Sequence, residues 1–359
     1  MDDKQPTVSE VDPPGARGAP ADDRLASVGP MRMLLGRPEL GAVVGAIAVF
    51  AFFALHTDAF ATARGLANLL DPTATLGIMA VVVALLMIGG EFDLSAGVMT
   101  GSAGLIVAML STVLGWNMWL AISAAIGVGA LVGLMNGMLV IRTGLPSFIV
   151  TLSTFLMLQG LNLGVTKLVT GTVQVRGVKA ASGYDSAHAV LASTVEIAGG
   201  AFRVTILWWV AAAVAATWTL LRTRAGNWIL AVGGSAAAAR GVGVPVARTK
   251  VALFMSVSMA AALVGSMRVV RLTSAQANAG IGEELQFIIA AVIGGCLLTG
   301  GYGSAVGAAI GALIFGMAKQ GIVFAGWDSD WFQLFLGALL LLAALLNRYV
   351  RRRAEAGPR

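Results

Sequence analysis

Apolar runs of about membrane length recur along this chain, separated by short stretches of glycine, proline, hydroxyls and cations. At roughly 20 residues per crossing, the pattern predicts ten spans, centred on Ala48, Val82, Leu105, Ala130, Leu156, Ala212, Met259, Ala291, Ala312 and Leu340. The first, the second (Thr75 to Ile88) and the eighth (Phe287 to Leu298) are short. That leaves room for a broken helix of the kind that interrupts transporter spans, and for a count that differs by two. Before the first run, mixed charge with Pro and Gly from Asp2 to Glu39 cannot bury a core, so residues 1–38 are expected to form a disordered tail. Residues 39–350 then form one transmembrane domain, and 351–359 a basic tail. The fold class expected is all-α: a polytopic membrane helical bundle of about ten transmembrane helices, some short or broken.

Composition agrees with that solvent. Of 359 residues, 57% are hydrophobic and 12% charged, about half the roughly 25% charge of soluble domains; mean hydropathy is +0.85. The net charge of +6 comes from Arg and Lys near span ends, with no basic stripe interleaved with aromatics, so nucleic-acid binding is not expected. A single cysteine, Cys296, excludes disulfide frameworks and cysteine-based metal sites. His56 and His188 alone cannot make an HExxH zinc site, so neither metal nor cofactor is expected. The first run begins near Leu40 without a small-residue cleavage site and reads as an anchor, not a removable signal.

The uneven placement of charge carries more. Leu220 to Lys250 holds Arg222, Arg224, Arg240, Arg248 and Lys250 and no acid, as expected of a cytoplasmic linker between two spans. Within residues 222–250, Gly233, Gly234 and Ser235 precede Ala236 to Ala239 and Arg240, and Gly241, Gly243 and Pro245 then stop the run. That predicts a helix of one or two turns between breakers. A short, rigid, basic helix held outside the bilayer is suited to press into a groove on a soluble partner. With an even span count, this linker, Arg142 and Arg348 to Arg353 share one side with both termini, which places the termini in the cytoplasm. The connection from Thr166 to Arg203 then lies outside as a structured loop. Arg64, Lys167, Arg176, Lys179, Arg203, Arg268, Arg271 and Lys319 fall on that same side, against the charge rule.

Glycines at helical spacing (Gly97 and Gly101; Gly129, Gly133 and Gly137; Gly303, Gly307 and Gly311) predict close helix packing. A weak internal echo pairs Ile88-Gly89-Gly90 with Ile293-Gly294-Gly295, each followed by a GxxxG. Polar groups at membrane depth mark the expected solute path. Glu91, Asp93 and Ser95 lie between two apolar runs with little room for a loop, and a carboxylate there faces the bundle interior, a cavity or the interface. Asp93 or Ser95 is placed to cap the next helix. Ser147, Thr151 and Thr154 fall on one face of the fifth span, Gln159 continues that side, and Asn136, Gln276 and Gln286 extend it. An uncharged track of hydroxyls and amides suits a neutral, polyhydroxylated solute.

No lysine follows a glycine, so the chain has no phosphate-binding GxxxxGK[ST] loop and is not its own ATPase by that route. Acids inside several spans, expected of an ion-coupled carrier, are also missing.

Gly89-Gly90-Glu91-Phe92-Asp93-Leu94-Ser95-Ala96-Gly97 resembles the Gly-Gly-Ile-Asp-Leu-Ser-Val-Gly signature of the ribose/xylose/arabinose/galactoside class of ABC-transporter permeases. The likeness continues through Asn136-Gly137, Pro146 to Thr154, Ala231 to Lys250, Ser274 to Gln276, Ala290 to Gly295 and Gly300 to Ser304, over roughly residues 40 to 350. It implies a transport subunit, not an enzyme, in a bacterial inner membrane. It further implies a second permease copy, a cytoplasmic ABC ATPase met by the helix after Ser235, and an extracytoplasmic sugar-binding protein. Glu91, Ser235, Gln159 and Gln286 depart from the usual residues toward a fructose-type branch. A monosaccharide or related polyol is the expected cargo. A nucleoside or other small polar solute and an ion-coupled secondary carrier are the alternatives.

Overall fold

The computed structural model describes residues 38–328 and 330–355. The tail expected to be disordered lies outside them except for Pro38. Thirteen helices hold most of the described residues: α1 Pro38–His56, α2 Ala63–Ile88, α3 Ser95–Thr112, α4 Met118–Thr143, α5 Ser147–Thr170, α6 Tyr184–Leu191, α7 Thr205–Arg222, α8 Arg224–Gly234, α9 Ala236–Gly241, α10 Val246–Leu272, α11 Glu283–Ile293, α12 Ala305–Phe324 and α13 Trp331–Glu355. All ten sequence-derived centres fall in helices. Eight of these, α1 to α5, α7, α10 and α12, are long and apolar enough to cross a bilayer. The ninth, α11, has 11 residues and spans about 16 Å, half of a hydrocarbon core. The tenth, α13, carries its apolar stretch over Trp331–Leu345.

The second span corrects the sequence reading, because α2 is 26 residues long and not short. Its first half was obscured by Arg64, Asn68, Asp71 and Pro72, which lower the apolar average without ending the helix. Thr62 caps it by accepting from the Gly65 amide at 3.0 Å. Past Pro72, which donates no backbone hydrogen bond, the Thr73 hydroxyl donates to the Leu69 carbonyl at 2.6 Å.

The core centres on α2, α3 and α10, whose apolar residues are buried almost all round, whereas α1, α5 and α7 expose most of theirs, as lipid-facing helices do. The glycine stripes lie where backbones touch. A Cβ on Gly137 of α4 would come within 2.8 Å of Val251 Cα on α10. One end of the bundle carries a small cap, here the hairpin end. There β1 Gln174–Arg176 pairs antiparallel with β4 Ser274–Gln276, and β2 Thr194–Ile197 pairs with β3 Gly200–Arg203. The Tyr184 hydroxyl donates to the Val270 carbonyl at 2.9 Å and fastens α6 to α10. At the opposite, basic end lie α8, α9 and the elbows joining α2 to α3 and α11 to α12.

Those elbows are built alike. Gly89 and Gly294 end their helices with φ −69°, and Gly90 and Gly295 follow at φ 83° and 93°. The next amides reach back five residues, Glu91 to the Leu86 carbonyl at 3.1 Å and Cys296 to the Ala291 carbonyl at 3.0 Å. The internal echo in the sequence is therefore a repeated backbone turn.

Candidate functional site

Three polar regions follow from this architecture. The first is a seam between α3, α4 and α5. Asp93 precedes α3, and its Oδ1 accepts from the Ser95 amide at 2.9 Å and the Ser95 hydroxyl at 2.5 Å. Asn136 Nδ2 donates to Ser95 Oγ at 3.0 Å, and the Thr154 hydroxyl donates to Asn136 Oδ1 at 2.7 Å. Ser147 and Thr151 accept from the Phe92 and Leu94 amides, each at 3.1 Å. These side chains are buried, so the face of α5 bearing Ser147, Thr151 and Thr154 is fully engaged with its neighbours. Within the seam, Asp93 Oδ2 has no hydrogen-bond partner among the described residues. Burial pushes this linker carboxyl from 3.8 up to about 6, against its bonds to Ser95. Gln159 sits farther along α5, half-buried and away from the seam.

The second region is the basic end. Ser235 accepts from the Ala238 amide at 3.2 Å and starts α9, the six-residue helix that the breakers predicted. Ala239 is buried against Val232 and Val246, while Arg240 and Gly241 are exposed. Glu91 forms an ion pair with Lys250 at the start of α10. A groove of about 640 Å3 between the linker and the α4–α5 turn is lined by Glu91 and Ser147 and by Arg240, Arg248 and Lys250, an excess of positive charge suited to an acidic partner surface.

Gly233 joins this end to both elbows. A Cβ there would fall on the Ile88 carbonyl oxygen and within 2.6 Å of the Gly301 amide nitrogen, and that amide donates to the Ile88 carbonyl at 2.8 Å. Side-chain-free backbone of the first elbow, the end of α8 and the loop before α12 thus meets at one point, directly ahead of α9.

The third region is a cavity of about 470 Å3 at the hairpin end, between α2, α3, α10, α11 and α12. Gln276 and Gln286 line it, as do Thr75, Thr100, Arg268, Arg271, Glu283 and Lys319, over a floor that includes Phe287 and Phe315. Arg268 Nη1 pairs with Glu283 Oε2 at 2.6 Å and Arg271 Nη2 with Asp71 Oδ2 at 2.6 Å. Arg203 Nε lies 3.0 Å from Asp71 Oδ1 without hydrogen-bond alignment. The segment from Thr273 to Gly282 reaches this depth through left-handed backbone at Thr273, Gly280 and Gly282, and Gly280 packs on the Gly97 backbone of α3. Sequence reasoning singled out Gln276 and Gln286 here but missed Asp71, Arg268, Arg271 and Glu283. The available signal was the group of cations that contradicted the charge rule: four of those eight, Arg203, Arg268, Arg271 and Lys319, gather around Asp71 and Glu283 or line this cavity.

With this geometry established, comparison with known proteins gives a consistent result. A family model described as branched-chain amino acid transport system / permease component matches residues 65–344. The chain is similar to the xylose transport system permease protein XylH of Escherichia coli (strain K12), 32% identical over 365 residues, covering 87% of this chain and 92% of that one. It is 32% identical over 309 residues to the ribose import permease protein RbsC of the same strain, covering 86% and 92%. It is also 35% identical over 293 residues to a probable ABC transporter permease protein, y4mJ, of Sinorhizobium fredii (strain NBRC 101917 / NGR234), covering 81% and 83%. No solved structure matches the chain.

Proposed function

The chain belongs to the branched-chain amino acid transport system / permease component family as a multi-pass membrane permease subunit, and from that premise we propose that it carries a monosaccharide or related polyol through an ATP-driven ABC importer. The relatives named for xylose and ribose support the cargo class. The observation that carries the mechanism is α9, a short basic helix set between breakers and seated directly after the glycine junction of the two elbows.

In this reading the basic end faces the cytoplasm, and α9, through Ser235, Ala239, Arg240 and Gly241, meets a partner ATPase. Its displacement passes through Gly233 and Gly234 to the elbows, and Glu91 with Lys250 ties the linker to the first of them. The seam of Asp93, Ser95, Asn136, Ser147, Thr151 and Thr154 lets α3, α4 and α5 move as one wall of the path, with Gln159 farther along the same helix. The hairpin end faces outward, where an extracytoplasmic binding protein delivers solute, and a second permease copy completes the pathway. Selectivity resides in that binding protein, since tight binding inside the permease would slow release.

The test is uptake of labelled ribose, xylose, fructose, a nucleoside and leucine by cells expressing the whole system. Uptake of a sugar that stops when ATP is depleted, and persists when the ion gradient is collapsed, is the expected result. Transport of only the nucleoside or leucine would overturn the sugar assignment, and dependence on the ion gradient would overturn the ATP-driven one. Arg240→Glu is expected to leave the protein inserted while abolishing sugar-stimulated ATP hydrolysis, and normal stimulation would remove α9 from the coupling role.

A further inference from the structure

We infer that the cavity at the hairpin end is a solute vestibule contained within one protomer, shaped for a single polyhydroxylated ring. The inference rests on the sugar-permease reading and gives it a location apart from the α5 track.

The α5 track is already engaged. Ser147 and Thr151 accept from backbone amides, Thr154 and Ser95 bond to Asn136, and all are buried. Polar groups bonded to one another in a closed seam offer a passing solute little. The cavity differs in three respects. Its volume of about 470 Å3 lies within the roughly 300–1,000 Å3 of small-molecule sites. Gln276 is exposed and Gln286 half-buried, and each amide offers two donors and an acceptor. The Arg268–Glu283 and Arg271–Asp71 pairs are partly open, with side-chain exposures of 27%, 25%, 32% and 16%. The remaining donors of Arg268 and Arg271 and the lone pairs of Glu283, which line the cavity, can thus take hydroxyls while each charge keeps its counter-charge.

Planar amides, guanidinium and carboxylate groups match the paired donor and acceptor geometry of vicinal diols. The site also lies where the bundle is interrupted. α11 begins at the cavity, with Glu283 in its first turn, after the left-handed turns at Gly280 and Gly282. Broken helices in a membrane bundle are tolerated where they line a water-filled space.

The experiment uses the permease co-expressed with its ATPase and binding protein, with the sugar that the wild type transports as probe. Gln286→Leu and Gln276→Leu together, and separately Thr75→Trp to fill the space, should each lower uptake about tenfold or more. Leu168→Ala, on an exposed face of α5 outside the cavity, should leave uptake unchanged, and basal ATP hydrolysis should persist in all variants. A second readout needs no transport. In a Cys296→Ser background, Gln286→Cys should react with a small methanethiosulfonate reagent, and millimolar sugar should slow that reaction severalfold. Wild-type uptake by the cavity variants, an unreactive thiol, or a rate indifferent to sugar would each overturn the vestibule. A wild-type protein that moves no sugar would instead overturn the reading beneath it.

Discussion

Asp93 shows how one side chain holds two opposed demands. One carboxylate oxygen fixes the start of α3 through Ser95, and the other is buried without a partner among the described residues. Its pKa, raised from 3.8 to about 6, means that the folded protein holds the proton more tightly than the unfolded chain. Protonated Asp93 therefore favours the fold at low pH, and that contribution is lost as pH rises through about 6. Asp93→Asn keeps an acceptor for Ser95 and removes the charge. It should raise the thermal midpoint of the detergent-solubilised protein at neutral pH, with a gain of at most about 3 kcal/mol, and change little near about pH 4. Uptake by the inserted variant is expected to be lost, because asparagine keeps the bonds to Ser95 but supplies no charge. A midpoint that rises equally at both pH values would show that the carboxyl does not titrate as its burial requires. The sequence marked Asp93 because an acid between apolar runs is conspicuous. It could not show that Asn136 and Thr154 complete the seam, since those contacts join residues far apart in the chain.

Among the elements, the short linker helix and the half-length α11 were both legible from breakers and run length, whereas α2 was not. Apolar averaging cut α2 at Thr75, because Arg64, Asn68, Asp71 and Pro72 dilute its first half, and only the fold supplies Arg203 and Arg271 to Asp71. The junction ahead of α9 gives the sharpest contrast between neighbouring residues. A Cβ on Gly233 would strike the Ile88 carbonyl, while one on Gly234 has nothing within 4 Å. Gly233→Ala should therefore cost about 1–3 kcal/mol, seen as a lowered thermal midpoint, and should abolish stimulated ATP hydrolysis. Gly234→Ala should behave as wild type. Equal effects at the two positions would mean that the contact is not the one that matters.

At the scale of the whole molecule, the run pattern placed every long helix, but handedness of insertion rested on a charge bias that eight cations opposed. Four of those cations are used structurally or line the vestibule, which explains why the bias was blunted. The only cysteine, Cys296, is buried, so introduced thiols can be read against a silent background. A membrane-impermeant maleimide added to spheroplasts should label Ile197→Cys in the hairpin and spare Val242→Cys beside α9; both positions are well exposed. The reverse pattern would invert the protein in the membrane. The backbone junction has one more consequence. Because Gly90, Gly233 and Gly301 meet there without side chains, its fit carries no chemical signature of its own. The linker is then an interchangeable part: a relative's linker with paired glycines at this place can seat on the same elbows, and partner choice can diversify on α9 without re-engineering the hinge beneath it.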